Sequence, residues 1–106
     1  MAWVFLAIAI ASEVFATVML KVSDGFSKLF PAIAVVLGYS FSFFMLALAL
    51  KSIGLSTAYA IWAGIGTVGA VIAGVVIFGE QLPMLAVIGI GLVVIGVVLL
   101  NVAVPH

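Results

Sequence analysis

Four long apolar segments, separated by short polar ones, run through the whole chain. They cover about residues 3–20, 31–50, 57–78 and 84–101. Each is close to the ~20 residues that an α-helix needs to cross a hydrocarbon core about 30 Å thick. Polar and apolar residues do not alternate within them, as they would in the strands of a transmembrane barrel. The pattern therefore predicts an all-α integral membrane protein, with residues 1–106 forming a single four-helix transmembrane domain.

The polar breaks have the composition of turns. The first contains Asp24 and Gly25 and ends at Pro31, a residue type favoured at the first position of a helix. The second break is followed by Ser56, which we predict to be the N-cap of the third helix. Because every connection is short, consecutive helices are expected to pack antiparallel.

Composition supports the lipid bilayer as the solvent of this chain. Hydrophobic residues make up 69% of it and charged residues 6%, too few polar groups to cover the surface of a soluble domain. The chain has no cysteine, so neither a disulfide nor a thiolate metal site is expected. Three basic residues, balanced by three acidic ones, form no basic patch for nucleic acid.

Lysines near the ends of the segments are distributed almost equally between the two sides of the membrane. Lys21 and Lys28 mark one side, and Lys51 with the N-terminus marks the other. Since such residues normally set orientation, the near tie suggests that copies insert both ways and pair as an antiparallel dimer. A weak preference for one orientation is the alternative. A heterodimer with a paralogous partner would be favoured by a skewed lysine pattern, which the loops lack.

Glu13 is the one charged residue near the middle of an apolar segment. An ionisable side chain at mid-bilayer costs about 2.5–3.5 kcal/mol on insertion scales, so it is a functional-site hypothesis by default. A carboxylate that holds a proton in one state and a cation in another is the minimum required for proton-coupled exchange. The alternative is a protonated acid that only joins helices by a hydrogen bond. No nucleophile–base pair accompanies Glu13, so no catalytic residue and no enzyme are predicted.

Small residues share the helix face of Glu13. Ala9 precedes it by four residues, and Ala16 and Thr17 follow it by three and four. We predict that these three line the site, where they leave room for a ligand or for a partner helix that approaches closely. Ordinary small-residue packing is the alternative.

Two aromatic pairs lie one helical turn apart inside the apolar segments, Tyr39 with Phe43 and Tyr59 with Trp62. Aromatic faces attract cations by about 2 kcal/mol or more when desolvated. Because no lysine or arginine within the segments neutralises Glu13, we expect these rings to contribute to a cation site. Packing or lipid contact is the alternative for each ring taken singly.

Glycines in the last two segments indicate bending and close contact. Gly64 and Gly66 weaken the third helix at a possible bending point. Gly89 and Gly96 are two turns apart on one face of the fourth helix and form a natural dimer seam. Tight packing within one chain is the alternative.

Two motifs carry a resemblance that extends over the whole chain. The first runs from Ser12-Glu13-Val14 to Met19-Leu20-Lys21, and the second is Ala-Tyr-Ala-Ile-Trp-Ala-Gly-Ile-Gly over residues 58–66. With four segments and the glycines of the fourth, the chain resembles the small multidrug resistance family of bacterial transporters. The resemblance implies a multi-pass protein of the bacterial inner (plasma) membrane that works by alternating access as an antiparallel homodimer.

The resemblance also implies an activity and a site. Family members exchange protons for lipophilic, often aromatic or quaternary ammonium cations, and the proton gradient drives this multidrug efflux without a cofactor. Glu13 would be the shared proton and substrate site, with the aromatic residues Trp62, Tyr59, Tyr39 and Phe43 around it. Gly64 and Gly66 match a helix kink, and Gly89 and Gly96 a dimer contact.

Two positions bear on the subtype within the family. Trp3 stands where drug exporters often have tyrosine, and it is carried over as a binding aromatic only by that position. Ala16 stands where guanidinium exporters typically have tryptophan, which favours the drug-exporting type. An exporter of guanidinium-like or polyamine cations is one alternative function. A structural or proton-conducting membrane subunit is another.

Overall fold

Four helices form the chain in this computed structural model, which describes residues 1–104. They are α1 (Ala2–Val22), α2 (Leu29–Ala49), α3 (Leu55–Phe78) and α4 (Met84–Ala103). Each is long and apolar enough to cross a membrane, and the described residues contain no strand. The predicted all-α transmembrane fold is confirmed, and every helix includes its predicted apolar segment to within one residue.

Two predicted helix starts are wrong. Helix α2 begins at Leu29 after the N-cap Lys28, so Pro31 is its third residue rather than its first. Proline is tolerated there because the N–H groups of a first turn have no partner within the helix. The N-cap of α3 is Gly54, not Ser56, because the amide of Ala58 already bonds to the carbonyl of Gly54 at 3.0 Å.

The chain divides into two compact units, Met1–Ile53 and the part that begins at Gly54. The first unit contains α1 and α2, and the second contains α3 and α4. That all four helices form a single domain stays a prediction. Each unit is an antiparallel helix pair, as its short connection requires.

In the first unit, α1 and α2 approach each other closely where both carry small residues. A Cβ atom added at Gly38 would lie only 2.9 Å from the Cβ of Ala16, which is fully buried. The buried hydroxyl of Ser42 donates a hydrogen bond of 2.7 Å to the backbone carbonyl of Ala9. These two contacts fix the register of α2 against the part of α1 that carries Glu13.

The turn between α1 and α2 is held by Ser23, whose side chain is fully buried. Its hydroxyl donates to the carbonyl of Leu20 at 2.7 Å and accepts the amide of Phe26 at 3.1 Å. Three successive residues from Asp24 to Phe26 have positive φ, at 50°, 70° and 67°. This left-handed run reverses the chain within six residues and sets α2 antiparallel to α1.

In the second unit, α3 ends at Phe78 and is capped by Gly79, which adopts the left-handed conformation with φ 67°. Helix α4 has no buried residue, in contrast to the other three helices. Its contact with α3 includes Gly64, where an added Cβ would lie 2.7 Å from a methyl group of Val97.

Candidate functional site

Glu13 lies in the middle of α1 and is half-buried. It is preceded by eleven helical residues and followed by nine, so both helix ends are more than two turns away. Within the described helices the other charged side chain is Lys21, in the last turn of α1. The structure therefore places a solitary carboxylate deep within the apolar length of the helix, as the sequence predicts.

Thr17 joins Glu13 to the neighbouring helix. The hydroxyl of Thr17 donates a hydrogen bond of 2.9 Å to Oε1 of Glu13. The hydroxyl oxygen of Thr17 also lies 2.7 Å from the hydroxyl of Tyr39 on α2. A spacing of four residues brings Thr17 onto the face of Glu13, and the antiparallel packing brings Tyr39 to both. Three of the predicted site residues are thus connected in one chain of hydrogen bonds.

An aromatic surface continues from Tyr39 along α2. The rings of Tyr39 and Phe43 are stacked, with centroids 6.2 Å apart and an angle of 17° between their planes. Such an offset arrangement is the favourable one for two aromatic rings. Phe43 is 57% exposed. Ring faces near a carboxylate are what a cation site would use, and that role of Tyr39 and Phe43 stays a prediction.

The two alanines that were predicted to line the site are fully buried in the contact between helices. Ala16 lies against Gly38, and the carbonyl of Ala9 accepts the hydrogen bond from Ser42. The sequence left open whether a ligand or a partner helix occupies the space beside these alanines. In the structure, helix α2 occupies it. A role of these alanines in ligand binding stays a prediction.

Trp3 is not brought to Glu13 by α1. It stands ten residues earlier on the same helix, about 15 Å along the axis, and is 57% exposed. Its predicted part in binding rests on the resemblance alone.

The remaining predicted residues belong to the second unit. Tyr59 is exposed and Trp62 half-buried, both on the N-terminal half of α3. Gly64 and Gly66 are buried, and α3 is continuous through them, so bending at this point stays a prediction. That Tyr59 and Trp62 complete the site of Glu13 also stays a prediction.

Gly89 and Gly96 on α4 face open space. A Cβ atom added at either glycine would have no heavy atom within 4 Å, apart from its own helix and chain neighbours. The described part of the chain therefore leaves this face uncovered, as a dimer contact would require. The dimer itself stays a prediction.

Two contributors to the site were missed from the sequence, Gly38 and Ser42. Ser42 lies one turn after Tyr39 on α2, and Gly38 lies one turn before Ser42; this spacing is the sequence signal that marks them. Within residues 1–104 no three histidine, cysteine, aspartate or glutamate side chains come together as metal ligands.

Comparison with known proteins assigns the chain to a family. The family model described as Small Multidrug Resistance protein matches residues 1–93 of the chain. The chain belongs to the small multidrug resistance family. Members of this family are transporters, which confirms the prediction that the protein is not an enzyme.

Named relatives of this small multidrug resistance protein match nearly its full length. Quaternary ammonium compound-resistance protein QacF of Klebsiella aerogenes is 48% identical over 99 residues, covering 93% of this chain and 90% of QacF. Multidrug resistance protein EbrA of Bacillus atrophaeus is 52% identical over 99 residues, covering 93% of this chain and 94% of EbrA. The chain is therefore a transporter of the small multidrug resistance family, and proteins named for multidrug and quaternary ammonium compound resistance are among its relatives.

A third relative bears on location. The uncharacterized membrane protein YvaE of Bacillus subtilis (strain 168) is 48% identical over 101 residues, covering 95% of this chain and 85% of YvaE. Together with the four membrane-length helices, family membership confirms a multi-pass protein of the bacterial inner membrane.

Proposed function

We propose that this small multidrug resistance protein exports lipophilic, aromatic and quaternary ammonium cations in exchange for protons. The observation that carries the proposal is the solitary carboxylate of Glu13 within an apolar helix, hydrogen-bonded through Thr17 to the aromatic Tyr39. A carboxylate in such surroundings needs a positive partner, and a proton or an organic cation can supply the charge. The names of QacF and EbrA support quaternary ammonium and other drugs as the cargo.

The exchange mechanism follows from competition for one group. When the site opens to one side, protons neutralise Glu13. When it opens to the other side, a cation displaces them and is held by the carboxylate and by nearby ring faces such as those of Tyr39 and Phe43. Because the two ligands exclude each other, movement of one is coupled to movement of the other. The proton gradient supplies the energy, so no cofactor is needed.

The working unit in this proposal is an antiparallel homodimer that alternates its access. Two observations support it: the near-equal distribution of lysines on the two sides, and the uncovered face of α4 that carries Gly89 and Gly96. Two protomers of opposite orientation would exchange conformations when the site switches sides. Bending of α3 at Gly64 and Gly66 would accompany that switch.

Proton-driven uptake into liposomes tests the function. Purified protein is reconstituted into vesicles with an acidic interior, and uptake of benzyltrimethylammonium is followed, because this cation combines a quaternary nitrogen with an aromatic ring. We expect uptake that a protonophore abolishes and that protein-free vesicles lack. Guanidinium and a polyamine are measured in parallel. Gradient-driven uptake of one of these in place of benzyltrimethylammonium would replace the proposed cargo.

Cysteine labelling tests the two orientations. The chain has no cysteine, so a single one can be introduced at Ser52, between α2 and α3, or at Gln81, between α3 and α4. Both positions are exposed. We expect an impermeant thiol reagent added outside intact cells to label about half of the molecules at each position. Complete labelling at one position with none at the other would establish a single orientation and contradict the antiparallel dimer.

A further inference from the structure

The hydroxyl of Thr17 has two hydrogen-bond partners but only one hydrogen to donate. It donates that hydrogen to Oε1 of Glu13. The contact of 2.7 Å between Thr17 and the hydroxyl of Tyr39 must then be donated by Tyr39. While the acid is ionised, hydrogen bonds are therefore donated in one direction, from Tyr39 to Thr17 and from Thr17 to Glu13.

From this geometry we infer that Thr17 is a positioning residue that ties the hydroxyl of Tyr39 to the protonation state of Glu13. The inference rests on the proposed function, in which Glu13 alternates between a proton and a cation. In this inference, Thr17 couples the protonation state of the acid to the orientation of the hydroxyl of an aromatic residue on the other helix.

The two states of the acid present different surfaces to a ligand. While Glu13 is ionised, the hydroxyl hydrogen of Tyr39 is held by Thr17, so Tyr39 offers its ring face and oxygen lone pairs, both of which attract a cation. When Glu13 takes a proton, its oxygen still accepts the hydrogen bond from Thr17, but that bond is no longer charge-assisted and is weaker. The hydroxyl of Tyr39 is then held in this orientation less strongly, and the arrangement that favours the cation is weakened.

We call the hydrogen-bonded residues Tyr39, Thr17 and Glu13 the relay. Helix packing keeps the members of the relay close together. Gly38, the neighbour of Tyr39, packs on Ala16, the neighbour of Thr17, so the two hydroxyl-bearing residues are held where the helices approach closely. The ring of Tyr39 is also stacked on Phe43. On α1 and α2 the other charged side chain is Lys21, eight residues beyond Glu13, so no second charge intervenes between the three members of the relay.

Equilibrium binding of benzyltrimethylammonium to the purified full-length protein tests the inference. Thr17→Val keeps the shape of the side chain but removes the hydroxyl, and it is expected to weaken binding about tenfold, the effect of one charge-assisted hydrogen bond. Thr17→Ser keeps the hydroxyl and is expected to bind nearly as tightly as the wild type. Thr67→Val is the matched control, because the Thr67 hydroxyl bonds only to the carbonyl of Ala63 in its own helix turn and is exposed.

A double-mutant cycle with Tyr39→Phe separates a relay from two independent contacts. Both single variants are expected to weaken binding, and the double variant should bind no more weakly than the weaker single one. Losses that multiply would overturn the relay, as would wild-type affinity in Thr17→Val. If Thr17→Val does not fold, Tyr39→Phe alone decides, because wild-type affinity in that variant also contradicts the inference.

Glu13→Gln, measured in the same assay, distinguishes the two levels of the proposal. Loss of binding in Glu13→Gln with wild-type binding in Thr17→Val would remove only the role of Thr17. Retained binding in Glu13→Gln would remove the proposed function itself.

Discussion

Glu13→Gln is expected to lower proton-driven uptake of benzyltrimethylammonium to the rate of protein-free liposomes. Glutamine has nearly the shape of glutamic acid, and it still accepts the hydrogen bond from Thr17, so the contact between α1 and α2 is retained. It cannot ionise, however, so it provides neither a charge for the cation nor a site for the exchanged proton. The loss therefore affects binding and coupling together, while the fold remains.

Glu80→Gln is the matched control for this variant. Glu80 is an exposed carboxylate in the connection between α3 and α4, outside the membrane-length helices. The same chemical change is expected to leave uptake near the wild-type rate. Gradient-driven uptake by Glu13→Gln at the wild-type rate would refute the exchange mechanism, and equal losses in both variants would show that the effect is not specific to Glu13.

Gly38→Ala is expected to destabilise the protein, although the same change normally stabilises a helix. In a helix interior alanine is favoured over glycine by about 0.5–1 kcal/mol. At Gly38 the added Cβ would lie 2.9 Å from the Cβ and 3.4 Å from the Cα of Ala16, neither of which can rotate away. The helices must separate, and overpacking of this kind costs about 1–3 kcal/mol.

Gly91→Ala is the control, and it is expected to leave the stability unchanged or to raise it. A Cβ atom at Gly91 on α4 would meet no heavy atom within 4 Å, and Gly91 lies outside the predicted dimer seam. Thermal unfolding of the purified variants, followed by circular dichroism, should show a lower midpoint for Gly38→Ala and an unchanged or higher one for Gly91→Ala. Equal midpoints for the two variants would mean that the close approach of α1 and α2 does not limit stability.

Separation of α1 and α2 should also weaken cation binding in Gly38→Ala. Thr17 and Tyr39 follow the two crowded residues directly, so their contact of 2.7 Å depends on the same helix spacing. Binding of benzyltrimethylammonium, measured below the unfolding temperature, is expected to be weaker than in Gly91→Ala. A variant that is less stable but binds normally would show that the hydrogen-bonded chain adjusts to a wider spacing.

Helix ends were less predictable than the helices themselves. The apolar segments indicated four spans because their length and continuity are large signals in a chain that must dissolve in lipid. Pro31 was expected as the first residue of α2 and Ser56 as the N-cap of α3, but both helices begin two residues earlier than these predictions. The preference of one residue for a terminal position is small beside the hydrogen bonds gained by extending a helix in an apolar medium.

Sequence alone determined that the chain is a four-helix membrane protein with one carboxylate among its apolar residues. Hydropathy and the position of a charge are properties of single segments, so they can be read without knowing how segments meet. The i and i+4 spacing of Glu13 and Thr17 is likewise local to one helix.

Only the tertiary structure decided which residues of α2 reach that carboxylate. The contacts of Tyr39 with Thr17, of Gly38 with Ala16 and of Ser42 with Ala9 all depend on the register of two antiparallel helices. Because α1 and α2 are apolar on nearly every side, their periodicity does not mark one contact face. Close packing of small residues selects the face and the register, and that selection exists only when both helices are present.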